Sequence, residues 1–234
     1  MVRSTDSYNA AVPPDANPSL TSSALSLGEF VDRLASAEPV PGGGSASAVA
    51  GSLGAGLVAM VAGLSAGRPK YAAHAALHET AIATGQRLAR RFLELSDTDA
   101  EAYAGFAAAQ KMPRDTDAEQ ASRKAALQAA ARIAAEVPLD TVEACLELVA
   151  TAESLVGRSN VNASSDLNVA ALLGEAAGRG AAENVLVNLP SVGDDAYTAV
   201  TTARVMRLLD DIEELAAATH EGVRSGASRE PLLA

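Results

Sequence analysis

The sequence has no tryptophan, only 3% aromatic residues and a single cysteine among its 234 residues. Strands favour aromatic and β-branched residues, whereas the apolar residues here are mainly Ala, Leu and Val, and alanine is the best helix former. One cysteine excludes an intramolecular disulfide, which is typical of a reducing compartment, and Cys145 lies in an apolar run. We therefore expect a cytoplasmic, all-α protein in which Cys145 is a buried packing residue.

Basic residues are also few, because 18 Lys and Arg stand against 29 Asp and Glu, giving a net charge of −11. A general nucleic-acid-binding protein needs a basic face to replace the counterions of the phosphates, so we expect no nucleic-acid partner. The acidic excess is typical of a protein kept soluble by its charge. The acidic excess is still compatible with a local binding site for a small anion, since a few Arg and Lys residues are enough to form one.

No charged residue occurs between Glu38 and Arg68, a stretch long enough to span a bilayer. Its first part, residues 39–44, is rich in Pro and Gly and predicts a turn. The remainder is rich in Gly, Ala and Ser rather than Leu, Ile and Phe. The N-terminal residues also lack the apolar core of a secretory signal. We interpret the stretch as a buried central helix and expect no membrane partner.

Three capping boxes, in which Ser or Thr precedes Glu by three residues, predict helix starts at Ser26, Thr98 and Thr116. Proline predicts helix ends at Pro113 and Pro138. Together with the apolar periodicity, these signals predict about eight or nine helices and no convincing strand. The sequence therefore predicts a single-domain orthogonal or up-down helical bundle.

The boundaries of that domain follow from composition. Residues 1–23 are rich in Ser, Pro and Asn without periodicity and predict a disordered tail. The helical domain is expected over residues 24–222, and residues 223–234 are expected to fray. Glycines interrupt the helix that begins near Ser45, at a cost of about 1 kcal/mol each relative to alanine. Such glycines are tolerable where another helix or another subunit approaches closely.

The first candidate for chemistry is the tri-glycine turn at residues 41–45. Glycines let the backbone approach a ligand, and the helix that follows presents unpaired N–H groups and a partial positive charge. The turn lacks the lysine of a P-loop and follows no strand, so a nucleotide site is not supported. A flexible turn with Ser45 as N-cap remains the equal alternative.

Two aspartates near predicted helix starts are further candidates, Asp99 and Asp166, the latter following Ser165. Each can serve merely as an acidic residue of a first helical turn, or can point into a cleft and move a proton. Asn184 and Asn188 share a helix face and must find partners, either buried backbone groups or a ligand. His74 and His78 also share a face, but no third ligand stands nearby, so no metal site is predicted.

Cations that could attract an anionic substrate form the last candidate set: Arg68, Lys70, Lys111, Arg114 and Arg123. Individually, each is equally well interpreted as a solvated surface charge. From the residues alone the sequence predicts only a helical protein with a cleft that accepts an anion.

Taken in order, these motifs resemble the C-terminal family of the formiminotransferase-cyclodeaminases. The resemblance rests on the tri-glycine turn, on residues 97–103 and 111–116, and on the two later motifs at residues 165–171 and 184–189. It extends over about residues 27–214. Each motif alone is weak, but the ordered set is specific.

The resemblance implies an all-α homodimer that acts on a one-carbon unit carried by tetrahydrofolate, with no metal and no cofactor beyond the folate substrate. The activity is either 5,10-methenyltetrahydrofolate cyclohydrolase or 5-formiminotetrahydrofolate cyclodeaminase. For this chemistry we expect Asp166 to be the main catalytic carboxylate and Asp99 the second. The residues expected to bind substrate are Gly42, Gly43, Gly44, Ser45, Lys70, Lys111, Arg123, Ser165, Asn184 and Asn188.

Two positions depart from the family pattern. Ser159 stands where the family usually has glycine, and Pro69 interrupts a run that is often basic. They leave open a member acting on another cyclic amidine or imine in a biosynthetic pathway. A helical binding module without chemistry is the other alternative. Because the sequence holds no formiminotransferase domain, channelling from such a domain is not expected.

Overall fold

A computed structural model describes residues 21–226 of the chain. In that range the chain forms six α-helices and no strand: α1 Leu27–Leu34, α2 Gly43–Ser65, α3 Ala75–Gln110, α4 Asp117–Leu155, α5 Ser164–Asn188 and α6 Asp195–Ser225. Short 3₁₀ turns lie at Ser22–Ala24, Pro69–His74, Val161–Ala163 and Leu189–Ser191. The prediction of an all-α protein is confirmed. The predicted count of eight or nine helices is not confirmed, since residues 21–226 form six α-helices, and the homodimer stays a prediction.

The first extra helix was expected because Thr98 has the sequence of a cap, yet α3 runs through it. Thr98 Oγ1 donates a hydrogen bond to the Glu94 carbonyl oxygen of its own helix, 2.9 Å away. Asp99 turns inward and meets Ser45 at the start of α2. The polar residues that imitate a cap are therefore interior helix positions that contact a neighbouring helix.

The second extra helix was expected because Pro138 should end α4, which nevertheless continues to Leu155. Proline has no N–H to donate to the carbonyl oxygen four residues earlier, here that of Ala134. Asn188 of α5 replaces the missing donor, since its Nδ2 lies 2.9 Å from the Ala134 oxygen. The side-chain amide thus compensates for the proline and lets the helix pass.

The long helices run up and down. Helix α2 is antiparallel to both α3 and α5: Gly44 lies against Asp99 near its beginning, and Gly54 lies against Ala170 at its middle. At its end, Ser65 Oγ accepts a hydrogen bond from the Asn160 N–H, 2.8 Å away. The core between α2, α3, α4 and α5 is built largely from Ala, Val and Leu. A Cβ at Gly51 would lie 2.7 Å from the Phe92 ring, so glycine there permits close helix packing.

By length and mean hydropathy, α2 is the one helix of residues 21–226 that could cross a membrane. Inside this bundle 44% of its apolar window is buried, and the core helix of a soluble protein passes the same test. This criterion is therefore weak evidence for a membrane span. The expectation of no membrane partner stays a prediction.

Two of the three predicted capping boxes are confirmed, at Ser26 with Glu29 and at Thr116 with Glu119. The predicted tails lie mostly outside residues 21–226. Within that range, Ser22–Ala24 forms a 3₁₀ turn, and α6 continues three residues past the predicted end at Gly222 before Gly226 takes a left-handed conformation, with φ +65°. Cys145 is buried, as expected, and burial raises the pKa of its thiol.

Candidate active site

The tri-glycine turn and Asp99 meet at one end of the bundle. Ser45 Oγ lies 2.9 Å from Asp99 Oδ2 and 3.2 Å from the Ser96 carbonyl oxygen. A Cβ placed on Gly44 would lie 2.6 Å from Asp99 Cγ, closer than real Cβ contacts allow. The lack of a side chain at Gly44 is therefore what admits the carboxylate to the N-terminus of α2. We call this region, defined by residues 42–45 with Asp99 and Asn184, the glycine-turn end.

Asp99 is a carboxylate with an unusual environment. Burial raises the pKa of Asp99 above its ordinary value of 3.8, against the opposing effect of hydrogen bonds from the Ser45 side chain and main chain. Catalytic acids and bases are often tuned in this way, because a pKa nearer the working pH makes proton transfer efficient. The Asp99 carboxylate also lies at the N-terminus of α2, where Ser45 Oγ is 2.9 Å from its Oδ2 atom.

Asn184 lies beside the same turn, since a Cβ on Gly43 would lie 3.7 Å from its Nδ2 atom. Its amide donates to the Gly180 carbonyl oxygen at 2.8 Å. Asn188 sits one turn further on and gives both amide hydrogens to backbone, to Ala134 and Asn184. The amide hydrogens of Asn188 thus serve the fold, and the expectation that Asn188 binds substrate stays a prediction, whereas Asn184 lies at the turn itself.

A cavity of about 630 Å³ opens beyond the glycine-turn end, between the end of α3, the start of α4 and the 3₁₀ turn after α5. Asp99 and Phe106, which lines it, are seven residues apart on one face of α3, or about 10 Å along the helix. Three cations line the cavity: Arg114, Arg123 and Lys124. We call it the basic cavity. In so acidic a protein, this local excess of positive charge favours an anionic group.

Only some of the cationic residues predicted to attract the substrate lie at the basic cavity. Arg123 lines the basic cavity and also donates through Nε and Nη2 to the Gln110 carbonyl oxygen at the end of α3. Lys111 is the C-cap residue of α3, next to the cavity-lining Gln110. Lys124 was missed, because polar residues at helical spacing near a helix start are normally interpreted as a solvated surface.

Asp166, with Ser165 and Lys70, lies at the opposite end of the bundle. Asp166 and Asn184 are both on α5, separated by about 27 Å along the helix axis. The expectation that Asp166 converges with the tri-glycine turn is therefore wrong for a single protomer, because α5 runs antiparallel to α2. Asp166 is half-buried in the first turn of α5, and Ser165 is exposed.

The buried polar groups at this opposite end hold the loop between α4 and α5. His78 Nε2 lies 2.8 Å from the Arg158 carbonyl oxygen, and Tyr71 Oη accepts from the Val161 N–H at 3.2 Å. We call residues 157–166 and the side chains that hold them the loop end. A smaller cavity of about 230 Å³ lies there, lined by Lys70 and Tyr71 among others. Within residues 21–226 no group of three or more His, Cys, Asp or Glu residues has the arrangement of a metal site.

These arrangements differ in what they can do chemically. The glycine-turn end combines a carboxylate whose pKa is raised with main-chain N–H groups at a helix start, and the basic cavity lies about 10 Å further along α3. Together they can hold an anionic ligand of extended shape and move a proton at one end of it.

A family model described as formiminotransferase-cyclodeaminase matches residues 26–207. The chain belongs to this family. A methenyltetrahydrofolate cyclohydrolase of Methylorubrum extorquens is 36% identical over 196 residues, which are 84% of this chain and 94% of that protein. A formimidoyltransferase-cyclodeaminase of Sus scrofa is 34% identical over 204 residues, which are 87% of this chain.

The chain spans only 38% of the length of the Sus scrofa protein. Among solved structures, a formiminotetrahydrofolate cyclodeaminase from Thermotoga maritima superposes with a TM-score of 0.78 at 27% identity, covering 86% of this chain and 96% of that one. Family membership thus extends over most of the described helices, including both the glycine-turn end and the loop end.

Proposed function

We propose that the protein is a one-carbon folate enzyme that hydrolyses 5,10-methenyltetrahydrofolate. The proposal is supported by its similarity to the Methylorubrum cyclohydrolase over 94% of that protein's length. The observation that carries it is the half-buried Asp99 carboxylate, which lies against Gly44 and Ser45, about 10 Å along α3 from a cation-lined cavity. A folate has the matching shape, with a ring system that carries the reactive carbon at one end and carboxylates at the other.

The hydrolysis begins when water attacks the positively charged carbon that bridges two folate nitrogens. Asp99 acts as general base and takes one proton from the attacking water, a role for which its raised pKa suits it. The second water proton passes to the departing ring nitrogen as the C–N bond breaks, and the water oxygen becomes the formyl oxygen. The negative charge of Asp99 also stabilises the cationic substrate carbon before the attack.

The basic cavity receives the glutamate of the folate. Arg114, Arg123 and Lys124 supply positive charge there. Guanidinium groups bind carboxylates in a bidentate manner, which fixes orientation as well as charge. Binding the tail at this distance from Asp99 holds the reactive carbon at the tri-glycine turn, so binding energy from the tail positions the reacting centre.

The test follows the loss of near-UV absorbance of 5,10-methenyltetrahydrofolate with and without the protein, under conditions where spontaneous hydrolysis is slow. We expect an enzyme-dependent decay that saturates with substrate. A protein that leaves the spontaneous rate unchanged while remaining folded, as judged by its helical circular dichroism, would refute the proposal and favour a non-catalytic helical module.

Formiminotetrahydrofolate cyclodeaminase is the second candidate, because the Thermotoga structure bears that name and is covered over 96% of its length. In that reaction a folate nitrogen attacks the formimino carbon and ammonia leaves, so the leaving nitrogen must gain a proton. Asp99 is again the group that transfers it. Measuring ammonia released from the formimino compound separates the two activities, and a protein inactive on both would favour another cyclic amidine or imine.

The remaining expectations are part of the same proposal. The chemistry uses no metal and no cofactor beyond the folate itself, and the enzyme works in the cytoplasm. Retention of activity in the presence of a strong chelator is the corresponding measurement for the metal.

A further inference from the structure

Ser45 lies at the start of α2, within reach of two acceptors on α3. The residue is 0% exposed, so its hydroxyl is shielded from bulk water. Ser45 Oγ is 2.9 Å from Asp99 Oδ2 and 3.2 Å from the Ser96 carbonyl oxygen. A serine hydroxyl has one hydrogen to donate and two lone pairs with which it accepts. Ser45 therefore donates to only one of the two oxygens at a time.

The two acceptors match the two protonation states of Asp99. An ionised carboxylate only accepts hydrogen bonds, so the Ser45 hydroxyl donates to it. A protonated Asp99 becomes a donor and needs an acceptor, which Ser45 Oγ supplies while its own hydrogen rotates to the Ser96 carbonyl oxygen. Buried hydrogen-bonding groups are costly to leave unpaired. With this pair of acceptors, neither the Asp99 proton nor the Ser45 hydroxyl is unpaired in either state.

The main chain of α2 holds the carboxylate while the hydroxyl rotates. Gly42, the N-cap residue of α2, makes no side-chain hydrogen bond that caps the helix. The first N–H groups of a helix have no partner within it. Asp99 accepts a hydrogen bond from the main chain of Ser45 as well as from its side chain. The carboxylate thus caps α2 from a neighbouring helix, and this bond does not depend on the direction of the hydroxyl.

Charged side chains have little influence on this pair. Helix α2 contains no titratable residue, and neither does the turn Ser22–Ala24. Burial raises the pKa of Asp99 and the two hydrogen bonds from Ser45 lower it, with no charged side chain of residues 21–226 among the causes. The charged residues on the elements packed around it are exposed or paired with other groups: Asp97 and Glu101 of α3, Arg132 and Glu136 of α4, and Glu183 of α5. After burial, the Ser45 hydroxyl is therefore the strongest influence on the titration of Asp99.

We propose that Ser45 is a positioning residue for Asp99, with a hydroxyl that donates to the ionised carboxylate and rotates to the Ser96 carbonyl oxygen when Asp99 is protonated. This inference rests on the proposed function. In the hydrolysis, Asp99 takes one proton from the attacking water and releases it to solvent before the next turnover. No proton leaves Ser45, because only its O–H bond rotates. The carboxylate keeps its place in both states, so little reorganisation accompanies proton transfer.

The first test measures the pKa of Asp99 without folate, by NMR titration of the aspartate side-chain carboxyl carbons, with Asp99→Asn identifying the signal. Since the Ser45 side chain lowers the pKa of Asp99, we expect Ser45→Ala to raise that pKa. Ser52→Ala is the matched control, because Ser52 Oγ also links α2 to α3 but has a carbonyl oxygen, that of Ala89 at 2.9 Å, as its acceptor. An unchanged or lower pKa in Ser45→Ala, or an equal rise in Ser52→Ala, would overturn the proposal. This readout is independent of the proposed function.

The second test follows the enzyme-dependent hydrolysis of 5,10-methenyltetrahydrofolate against pH. A general base works in its ionised form, so kcat/KM rises with pH through the pKa of that base. We expect Ser45→Ala to move this rise to higher pH and to lower kcat about tenfold, and Ser52→Ala to change neither.

A double variant separates positioning from direct contact with substrate. In an Asp99→Asn background, Ser45→Ala should cost no further turnover, because Ser45 acts through Asp99. An undisplaced pH profile in Ser45→Ala, or a further tenfold loss in the Asp99→Asn background, would overturn the positioning role. A wild-type protein inactive on folates would instead refute the proposed function.

Discussion

The glycine-turn end and the loop end both bury polar side chains, but they bury them differently. At the loop end, buried polar groups pair with backbone: Ser65 accepts from the Asn160 N–H, and His78 lies at hydrogen-bond distance from the Arg158 carbonyl oxygen. At the glycine-turn end, burial raises the pKa of Asp99 despite its bonds to Ser45, and a cation-lined cavity lies about 10 Å further along α3. The buried polar groups of the loop end therefore hold a loop in place, whereas burial at the glycine-turn end changes the pKa of a carboxylate.

The strongest test of this comparison is Asp99→Asn. Removing a general base costs about 10²- to 10⁴-fold in rate, so we expect at least a hundredfold loss in kcat with the fold retained. Asp97→Asn is the matched control on the same helix, because Asp97 accepts from the Ser23 N–H at 3.0 Å rather than facing the tri-glycine turn. Equal turnover of the two variants would remove Asp99 from the chemistry.

Gly44→Ala should have the next largest effect. The added Cβ would lie 2.6 Å from Asp99 Cγ, so the carboxylate must move away from Ser45. We expect a loss in kcat of about 10- to 100-fold, since small displacements of catalytic groups are costly. Gly105→Ala, where a Cβ meets nothing within 4 Å, should keep its activity and gain up to about 1 kcal/mol of stability.

The basic cavity provides the third test. Lys124→Gln removes one of its three cations, and we expect KM for the folate to rise about fivefold with kcat nearly unchanged, as for a lost binding interaction of about 1 kcal/mol. Arg91→Gln, which breaks a surface pair with Asp140, is the control. A fall in kcat without a change in KM would contradict tail binding at this cavity.

The loop end should respond in stability rather than in turnover. Ser65→Ala leaves the buried Asn160 N–H without its acceptor, so we expect a loss of about 1–3 kcal/mol in the free energy of unfolding. The exposed Thr80→Ala, which loses only a bond within its own helix, should change that energy by less than about 0.5 kcal/mol. Denaturant unfolding beside kinetics well below the melting temperature measures both.

The smallest expected effect is on the pH dependence of stability. Because burial raises the pKa of Asp99 above 3.8, the folded state holds this proton more tightly than the unfolded state. The wild type should therefore lose stability relative to Asp99→Asn as pH rises from 3.8 through the raised pKa, and the difference should be constant at higher pH. A difference of the opposite sign would mean that the carboxylate is stabilised in its charged form.

Local signals in the sequence predicted local structure well. The capping boxes at Ser26 and Thr116 form as expected, because each is satisfied by residues three positions apart. The predicted helix start at Thr98 and helix end at Pro138 do not occur, because contacts with residues distant in sequence override the local signals. Asp99 contacts Ser45 of α2, and Asn188 of α5 supplies the hydrogen-bond donor that Pro138 lacks. These contacts come from helix packing and leave no local pattern.

The sequence likewise identified part of the candidate site and missed the rest. The tri-glycine turn and Asp99 were each identified from residue type and position, and the structure brings them together. The position of Asp166 could not be read from its motif, since the antiparallel course of α5 sends it to the other end of the protomer. Lys124 lay within a polar helix face that resembles ordinary surface.

The most direct measurement of the central claim is a crystal structure with a bound non-hydrolysable analogue of 5,10-methenyltetrahydrofolate. We predict its bridging carbon within reach of the Asp99 carboxylate and its glutamate among Arg114, Arg123 and Lys124. An analogue bound in the cavity lined by Tyr71, with its ring system remote from the tri-glycine turn, would contradict the account.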